Sequence, residues 1–293
     1  MELRVLQYFL AVTREQSITG AAEALHLSQP TLSRQLRELE VELGKQLMIR
    51  GNRRITLTEE GMILRKRAEE IMELVKKAED EISLSDEIIA GDISIGAGET
   101  DGVRYLARAA RALQKRYPLI RLHIVSGDKT TVMEELDRGL IDFGLIFREI
   151  DTTKYEFIQV PYQDTWGVIM RRDAPLAEKE TITAADLMDK PLILSRQAFQ
   201  NHNFREFFPC SQEDLNIVAT YNLLFNGSLM VDEGMGYAVS FDKLINVSGD
   251  SNLCFRPLEP KLEAGMHIVW KKYQVLSRAA RHFLQKLQEV VLD

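Results

Sequence analysis

Between positions 28 and 37 the chain groups Ser28, Gln29, Pro30, Thr31, Ser33, Arg34 and Arg37, and a second basic group, Arg50, Arg53 and Arg54, follows shortly after. Hydroxyl, amide and guanidinium groups at this density donate to phosphate oxygens and to the edges of bases. An arginine fork in particular matches the two acceptors of a guanine. From Ser28 to Thr58, the six basic residues Arg34, Arg37, Lys45, Arg50, Arg53 and Arg54 face three acidic ones, Glu38, Glu40 and Glu42, a local excess of three positive charges. The whole chain carries a formal net charge of −7, which opposes indiscriminate coating of a polyanion. An acidic body with one small basic face suits a reader of particular double-stranded DNA sites.

Catalytic chemistry finds no comparable set. The segment GAGETDG, positions 96–102, follows a strand pattern and opens a helix, as a dinucleotide loop would. Its glycines Gly96, Gly98 and Gly102 have one residue too many for G-x-G-x-x-G. Glu99 and Asp101 also stand where a pyrophosphate needs bare amides. No phosphate-binding P-loop, no G-x-S-x-G and no H-E-x-x-H occurs. The five histidines are scattered, and Cys210 and Cys254 share no metal-ligand spacing with them. The expectation is a protein that is not an enzyme and uses neither metal nor cofactor.

The basic groups need a scaffold, and the local pattern supplies one. Thr19 is expected to cap a short helix with Ala21, Ala22 and Leu25 inward, and Ser28 to cap a second, where Pro30 is tolerated in the first turn. Leu32, Leu36, Leu39 and Leu43 then form one buried stripe, with Thr31, Arg34 and Arg37 opposite and Ser33 at its edge. Gly44 ends that helix. A first helix over 3–13, with Leu3, Leu6, Phe9 and Leu10 on one face, closes a small core. Ile55–Leu57 reads as a β-wing beside the phosphates. Next, Thr58 caps a long helix over 59–90. Its apolar line is Leu64, Ala68, Ile71, Val75, Ala78, Ile82 and Ile89, with Ser85 at the one step that is not apolar. Spacings of four and three along it predict a pairing seam.

After Gly91 the pattern turns to strand–helix alternation, which predicts a parallel sheet with helices on both faces. Strands fall at Ile93–Ile95, Ile120–Ile124 and Phe143–Phe147, and Thr131 with Glu134 reads as a capping box for the helix ending near Gly139. A second half repeats the theme. Ligands of such folds sit at the carboxyl ends of strands. The turns there hold Glu99 and Thr100, Ser126 and Gly127, Phe147 and Arg148, Ser195 and Arg196, and Asn226. Glu99 and Asp101 set against Arg148 and Arg196 suggest a ligand carrying both signs, or one with a cationic group near Glu99.

The stretch AVTREQSITGAAEALHLSQPTLSRQLRELEVELGKQLMIRGNRRITLTEEG resembles the winged helix-turn-helix of LysR-type transcriptional regulators. Phe9, Val12, Ser17, Thr19, Ala21, Ala22, Leu25, Ser28, Gln29, Pro30, Ser33, Leu39, Glu40, Gly44, Leu47, Arg50, Leu57, Thr58 and Gly61 stand where that pattern wants them. Gln16, where the family often has Gly, and Met48, where it usually has Phe, depart from it. LDRGLIDFGLI and LMVDEGMGYAV are similar to the family's effector domain, itself similar to periplasmic solute-binding proteins. The resemblance implies an α/β fold class with an all-α N-terminal winged helix-turn-helix, a linker helix that pairs subunits, and a two-lobed effector domain of the type II periplasmic-binding-protein kind. Boundaries follow at 1–58, 59–90 and 91–293. Lobe I takes about 91–160 and 266–293, and lobe II about 161–265, with crossings near 160 and 265. Effectors of this family commonly contact the first turn, where Thr100 matches a frequent Thr or Ser.

These readings combine into a ligand-responsive DNA-binding regulator. Thr31, Ser33 and Arg34 approach base edges from a major groove. Gln29, Arg37, Arg50, Arg53 and Arg54 fix the backbone or enter the adjacent minor groove, and Ser28 and Pro30 belong to the same DNA-binding surface. Expected partners are operator half-sites, a small-molecule effector of unstated identity, a second or further copies as homodimer or homotetramer, and RNA polymerase. No membrane partner is expected, since no apolar run reaches spanning length and no signal-peptide pattern opens the chain. Two Cys without a disulfide framework point to a reduced cytoplasm. The rival is a cytoplasmic small-molecule binding protein with no gene-regulatory role.

Overall fold

Phe9, Leu32, Leu36 and Leu39 are each 2 % exposed or less, and an N-terminal unit is built on them. In the computed structural model, which describes residues 1–51, 54–83, 89–147, 150–196, 198 and 202–292, this unit spans Met1–Ser85 and a second spans Asp86–Asp293. Helices α1 (Leu3–Glu15), α2 (Ile18–Ala24) and α3 (Gln29–Leu43) make the first core. The buried face of α1 is Val5, Leu6, Phe9 and Val12 rather than the expected Leu3 and Leu10, and Leu3 is exposed on the first turn. Ser17, not Thr19, caps α2, accepting from the Gly20 N–H at 3.2 Å. Ser28 caps α3 as expected. The stripe on α3 stops at Leu39. Leu43 is 40 % exposed, because Gly44 turns the chain in the left-handed region and returns Leu47 and Met48 to the core instead.

Strand β1 (Met48–Arg50), not foreseen from so short a run, pairs antiparallel with β2 (Ile55–Leu57) to form the wing. Thr58 then caps α4 (Glu59–Ser83), its hydroxyl accepting from the Gly61 N–H at 3.0 Å. Gly61 permits a close approach there: a Cβ would lie 2.0 Å from the Leu47 carbonyl oxygen. Helix α4 is shorter than the expected 59–90. Ile89 and Ala90 are not helical, and Ser85 lies outside the described residues. Ala68 is fully buried, whereas Ile82 is 84 % exposed in the single chain.

The second unit alternates β3 (Gly91–Ala97), α5 (Val103–Arg116), β4 (Ile120–Ser126), α6 (Lys129–Arg138) and β5 (Phe143–Ile146), then runs into β6 (Tyr155–Arg171). Asp128 caps α6 through the Thr131 N–H at 2.8 Å, so the expected Thr131–Glu134 box gives way to the residue directly before the helix. Next come α7 (Ala184–Leu187), β7 (Leu192–Ser195), α8 (His202–Phe207), β8 (Ile217–Tyr221), α9 (Leu224–Asp232) and β9 (Tyr237–Phe241). The chain closes with β10 (Leu253–Pro257), β11 (Glu263–Lys271) and α10 (Arg278–Leu292).

The sheet is mixed rather than parallel. Strand order is β4-β3-β5-β11-β6-β9-β7-β8, with β10 also on β6. Strands joined through helices are parallel, as in β3 with β4 and β5, and β7 with β8 and β9. The returning strands β6 and β11 have no such crossover and pair antiparallel with each other and with their neighbours. One strand serves both lobes: β6 pairs with β11 up to Thr165 and with β9 from Trp166. The change of partner on β6 falls at 164–166, where the expected crossing was near 160, and β11 starts at Glu263, where the second was expected near 265. Each lobe has its own core, one around Ile95, Phe143, Ile268 and Phe283, the other around Val168, Leu194, Phe204 and Val239.

Candidate functional site

The polar face of α3 is displayed by the burial of its leucines. Gln29, Pro30, Thr31, Arg34 and Arg37 are all exposed. The Ser28 hydroxyl accepts from the Thr31 N–H at 3.3 Å and meets the Thr31 hydroxyl at 2.7 Å, which fixes the first turn. That turn holds no acidic residue, so no charge of its own offsets the positive end of the helix. Arg34 stands 3.8 Å from Glu38, a solvent-exposed pair of little energetic weight that leaves the guanidinium available. Ser33 differs from the expectation: it is 8 % exposed, turned to the core side, and the isolated unit does not offer it to a groove.

The wing is tied to this helix by Glu40, whose carboxylate accepts from the Leu47 and Met48 amides at 2.8 and 3.2 Å. It is tied to α1 by the Ile55 N–H, which donates to the Gln16 carbonyl at 2.8 Å. Arg50 ends β1, Arg54 is exposed, and Arg53 lies outside the described residues. Gln16 adopts the left-handed conformation, φ 51°, at the end of α1, which explains why glycine suits that place.

In the second unit the loops at the strand ends surround a cleft of about 860 Å³, its open mouth included. Four candidates line it: Glu99, Gly127, Phe147 and Ser195. Four others do not. Thr100 is buried, Ser126 is exposed at the end of β4, Arg196 is exposed with its N–H on the Tyr221 carbonyl, and Asn226 is exposed in the first turn of α9. Arg148 lies outside the described residues. The sequence reading missed Lys129, Trp166, Tyr221, Asn222, Ser240 and Phe241, all of which line the cleft. Asn222 and Leu223 directly follow β8, so the strand-end rule applied without skipping residues would have found them.

Thr100 instead ties the first loop to the crossing strand. Its hydroxyl donates to the Asp164 carboxylate and accepts from the Gly102 N–H at 2.9 Å. Asp164 is fully buried, and one of its oxygens meets no donor among the described residues. Burial pushes its carboxyl up to about 6, partly offset by the bonds from Thr100 and the Asp101 amide. Across the cleft, the Glu99 carboxylate accepts from the backbone N–H of Leu224, the first residue of α9. That contact sets the Glu99 carboxylate at the positive end of α9. Trp166 and Phe241 meet as tilted rings at 4.3 Å between centroids, and Phe147 and Phe241 at 5.0 Å, giving the cleft an aromatic wall. Among the described residues no group of three or more His, Cys, Asp or Glu could hold a metal ion. No helix of the described residues is long and apolar enough to cross a membrane.

An exposed donor-rich helix with a wing, and a two-lobed body with a cleft, are the parts that known proteins combine. Residues 3–62 match the family described as bacterial regulatory helix-turn-helix protein, lysR family, and residues 87–292 match the LysR substrate binding domain. The chain is 34% identical over 198 residues to the HTH-type transcriptional regulator BsdA of Bacillus subtilis (strain 168), covering 67% of each. It is 29% identical over 297 residues to the Hca operon transcriptional activator HcaR of Escherichia coli (strain K12), covering 99% of this chain and 98% of the other. Its fold is similar to that of full-length CbnR solved with its target DNA, with a TM-score of 0.77 at 20% identity over 99% of this chain and 100% of that one. The helix-turn-helix at one end and the effector-type domain at the other make this chain a member of the LysR family of transcriptional regulators.

Proposed function

We propose that α3 enters a major groove, with Thr31 and Arg34 at base edges and Ser28, Gln29, Pro30 and Arg37 toward the phosphates. Arg50, Arg53 and Arg54 of the wing then hold the backbone or reach the adjacent minor groove. The observation that carries this reading is the contrast on α3 itself: Leu32 and Leu36 are fully buried while Thr31, Arg34 and Arg37 are exposed. A groove-reading helix needs that division. CbnR, whose fold this chain shares, is a protein solved on its target DNA.

The apolar line of α4 past Ala68 is the surface by which two copies pair, presenting two heads to two half-sites. A small molecule in the cleft shifts the lobes about the 164–166 and 263–265 crossings and so alters the spacing of the heads. The protein acts in the cytoplasm, without enzymatic activity, and meets RNA polymerase at the promoter. Footprinting on the region upstream of the protein's own gene tests this. A protected pair of half-sites is expected; no protected site removes the reading.

A further inference from the structure

Asp164 stands where β6 changes partners: it pairs with Ala264 of β11, and two residues on, Trp166 pairs with Phe241 of β9. From lobe I the loop 98–102 closes over it. The buried Thr100 hydroxyl and the Asp101 amide both donate to its carboxylate, and Thr100 also lies 3.5 Å from the Met266 sulfur. The loop is tightly set, because a Cβ on Gly102 would collide with that sulfur. From lobe II the turn after β9 folds back on the strand. The Asp242 N–H donates to the Thr165 carbonyl at 2.9 Å, and Lys243 Nζ meets the Tyr162 hydroxyl at 3.3 Å. Lys243 does so at φ 65°, a conformation that favours glycine.

The enclosure leaves one group short: the second Asp164 oxygen meets no donor among the described residues. An ionised carboxylate held in that state is costly, whereas a protonated one is tolerated. Charged and titratable groups reach it from each segment. Asp101, paired with Arg104 at 2.5 Å, repels a negative charge there, and Lys243 attracts it. Tyr162 lies two residues before it on β6, Asp242 beside Lys243, and Glu263 opposite Thr165 on β11. Burial outweighs these and holds the enclosed carboxyl up at about 6, against 3.8 for the free group.

We propose that Asp164 is a proton-operated latch between the lobes: protonated, it lets the loop and the turn close on the crossing strand, and ionised, it favours their withdrawal, which admits water to the unpaired oxygen. The closed arrangement then binds a proton more tightly than the open one. Closure is fully favoured below about pH 4 and weakens as pH rises through about 6. The latch rests on the lobes moving about the crossing strands, and needs neither a ligand in the cleft nor DNA.

Hydrogen exchange of the full-length protein at about pH 5 and pH 7, with the parent beside Asp164→Asn at each pH, tests it. The amides to follow are Gly102, Asp242 and Leu224, which donate to Thr100, Thr165 and Glu99. Their exchange in the parent relative to the variant should rise about tenfold between the two pH values. A purely structural role for the side chain would give the same ratio at both. Thr100→Val keeps Asp164 but removes its hydroxyl donor and gives a second reading. Exchange at Asp242 and Leu224 should then quicken more at the higher pH, because the ionised form loses the stronger bond. A ratio that does not rise, or equal quickening in Thr100→Val, overturns the latch and leaves the movement of the lobes standing. Exchange of these amides only in step with Ile95 in the lobe I core overturns both. Footprinting is independent of either outcome.

Discussion

The Glu99 carboxylate in one lobe accepts the backbone N–H of Leu224 at the head of α9 in the other. This bond spans the cleft, whereas most polar contacts of either loop stay within a lobe. It supplies an N-terminal cap that Leu223, the residue in the capping position, has no side chain to provide. The arrangement is a brace between lobes, and it places negative charge at the positive end of a helix.

Removing the brace has a measurable cost. Glu99→Ala should lower the stability of the second unit by about 1–2 kcal/mol, the usual loss on deleting a helix cap. Urea unfolding gives the magnitude. Hydrogen exchange should locate it at the Leu224 amide, and unchanged protection there would show that the bond contributes nothing.

Asp164 gives a pH signature. Its folded carboxyl titrates near 6, against 3.8 for the free group. Below about pH 4 it is protonated in both states and carries no penalty. Between about pH 4 and 6 the unfolded chain releases its proton first, so this residue makes stability fall as pH rises; above that the loss is constant at about 3 kcal/mol. Asp164→Asn should remove this dependence, gaining stability at pH 7 relative to the parent and little at pH 4. Thermal melts of the two proteins across pH 4–8 check it, and a difference that does not grow with pH would contradict the assignment.

Gln16 tests the backbone account of the N-terminal unit. At φ 51° it holds a conformation that costs a side-chain-bearing residue about 1 kcal/mol or more. Gln16→Gly should therefore stabilise the unit by about 0.5–1 kcal/mol without altering DNA affinity, since the Gln16 carbonyl that receives the Ile55 N–H is retained. A destabilised variant would mean that the Gln16 side chain contributes more than the backbone strain removes.

Local pattern carried much of this architecture. Ser28, the leucines up to Leu39 and Gly44 were legible because capping, helical period and the left-handed turn are written within a few residues. The same rules misplaced Leu43 and Ser33, because which edge of a helix is covered depends on neighbours, here Leu47 and Met48 returning after the turn. In the cleft, the strand-end rule found Glu99, Gly127, Phe147 and Ser195. It could not find Trp166, which lies within the long crossing strand β6 rather than at the end of a strand. Nor could it foresee that Thr100 turns inward to Asp164, a partner 64 residues away that no local spacing announces. Glu99 was identified as special, but its partner lies 125 residues on, so its role was legible only once the lobes were folded together.

The most direct test of the account is a quantitative gel shift at fixed salt, comparing the parent and Arg34→Ala on the footprinted site and on its single-base variants. The account predicts a loss of about 1–3 kcal/mol on the intact site and relaxed discrimination at one base position in each half-site. A variant that binds the intact site less tightly but discriminates among the base variants as the parent does would contradict it, and would reduce Arg34 to a phosphate contact.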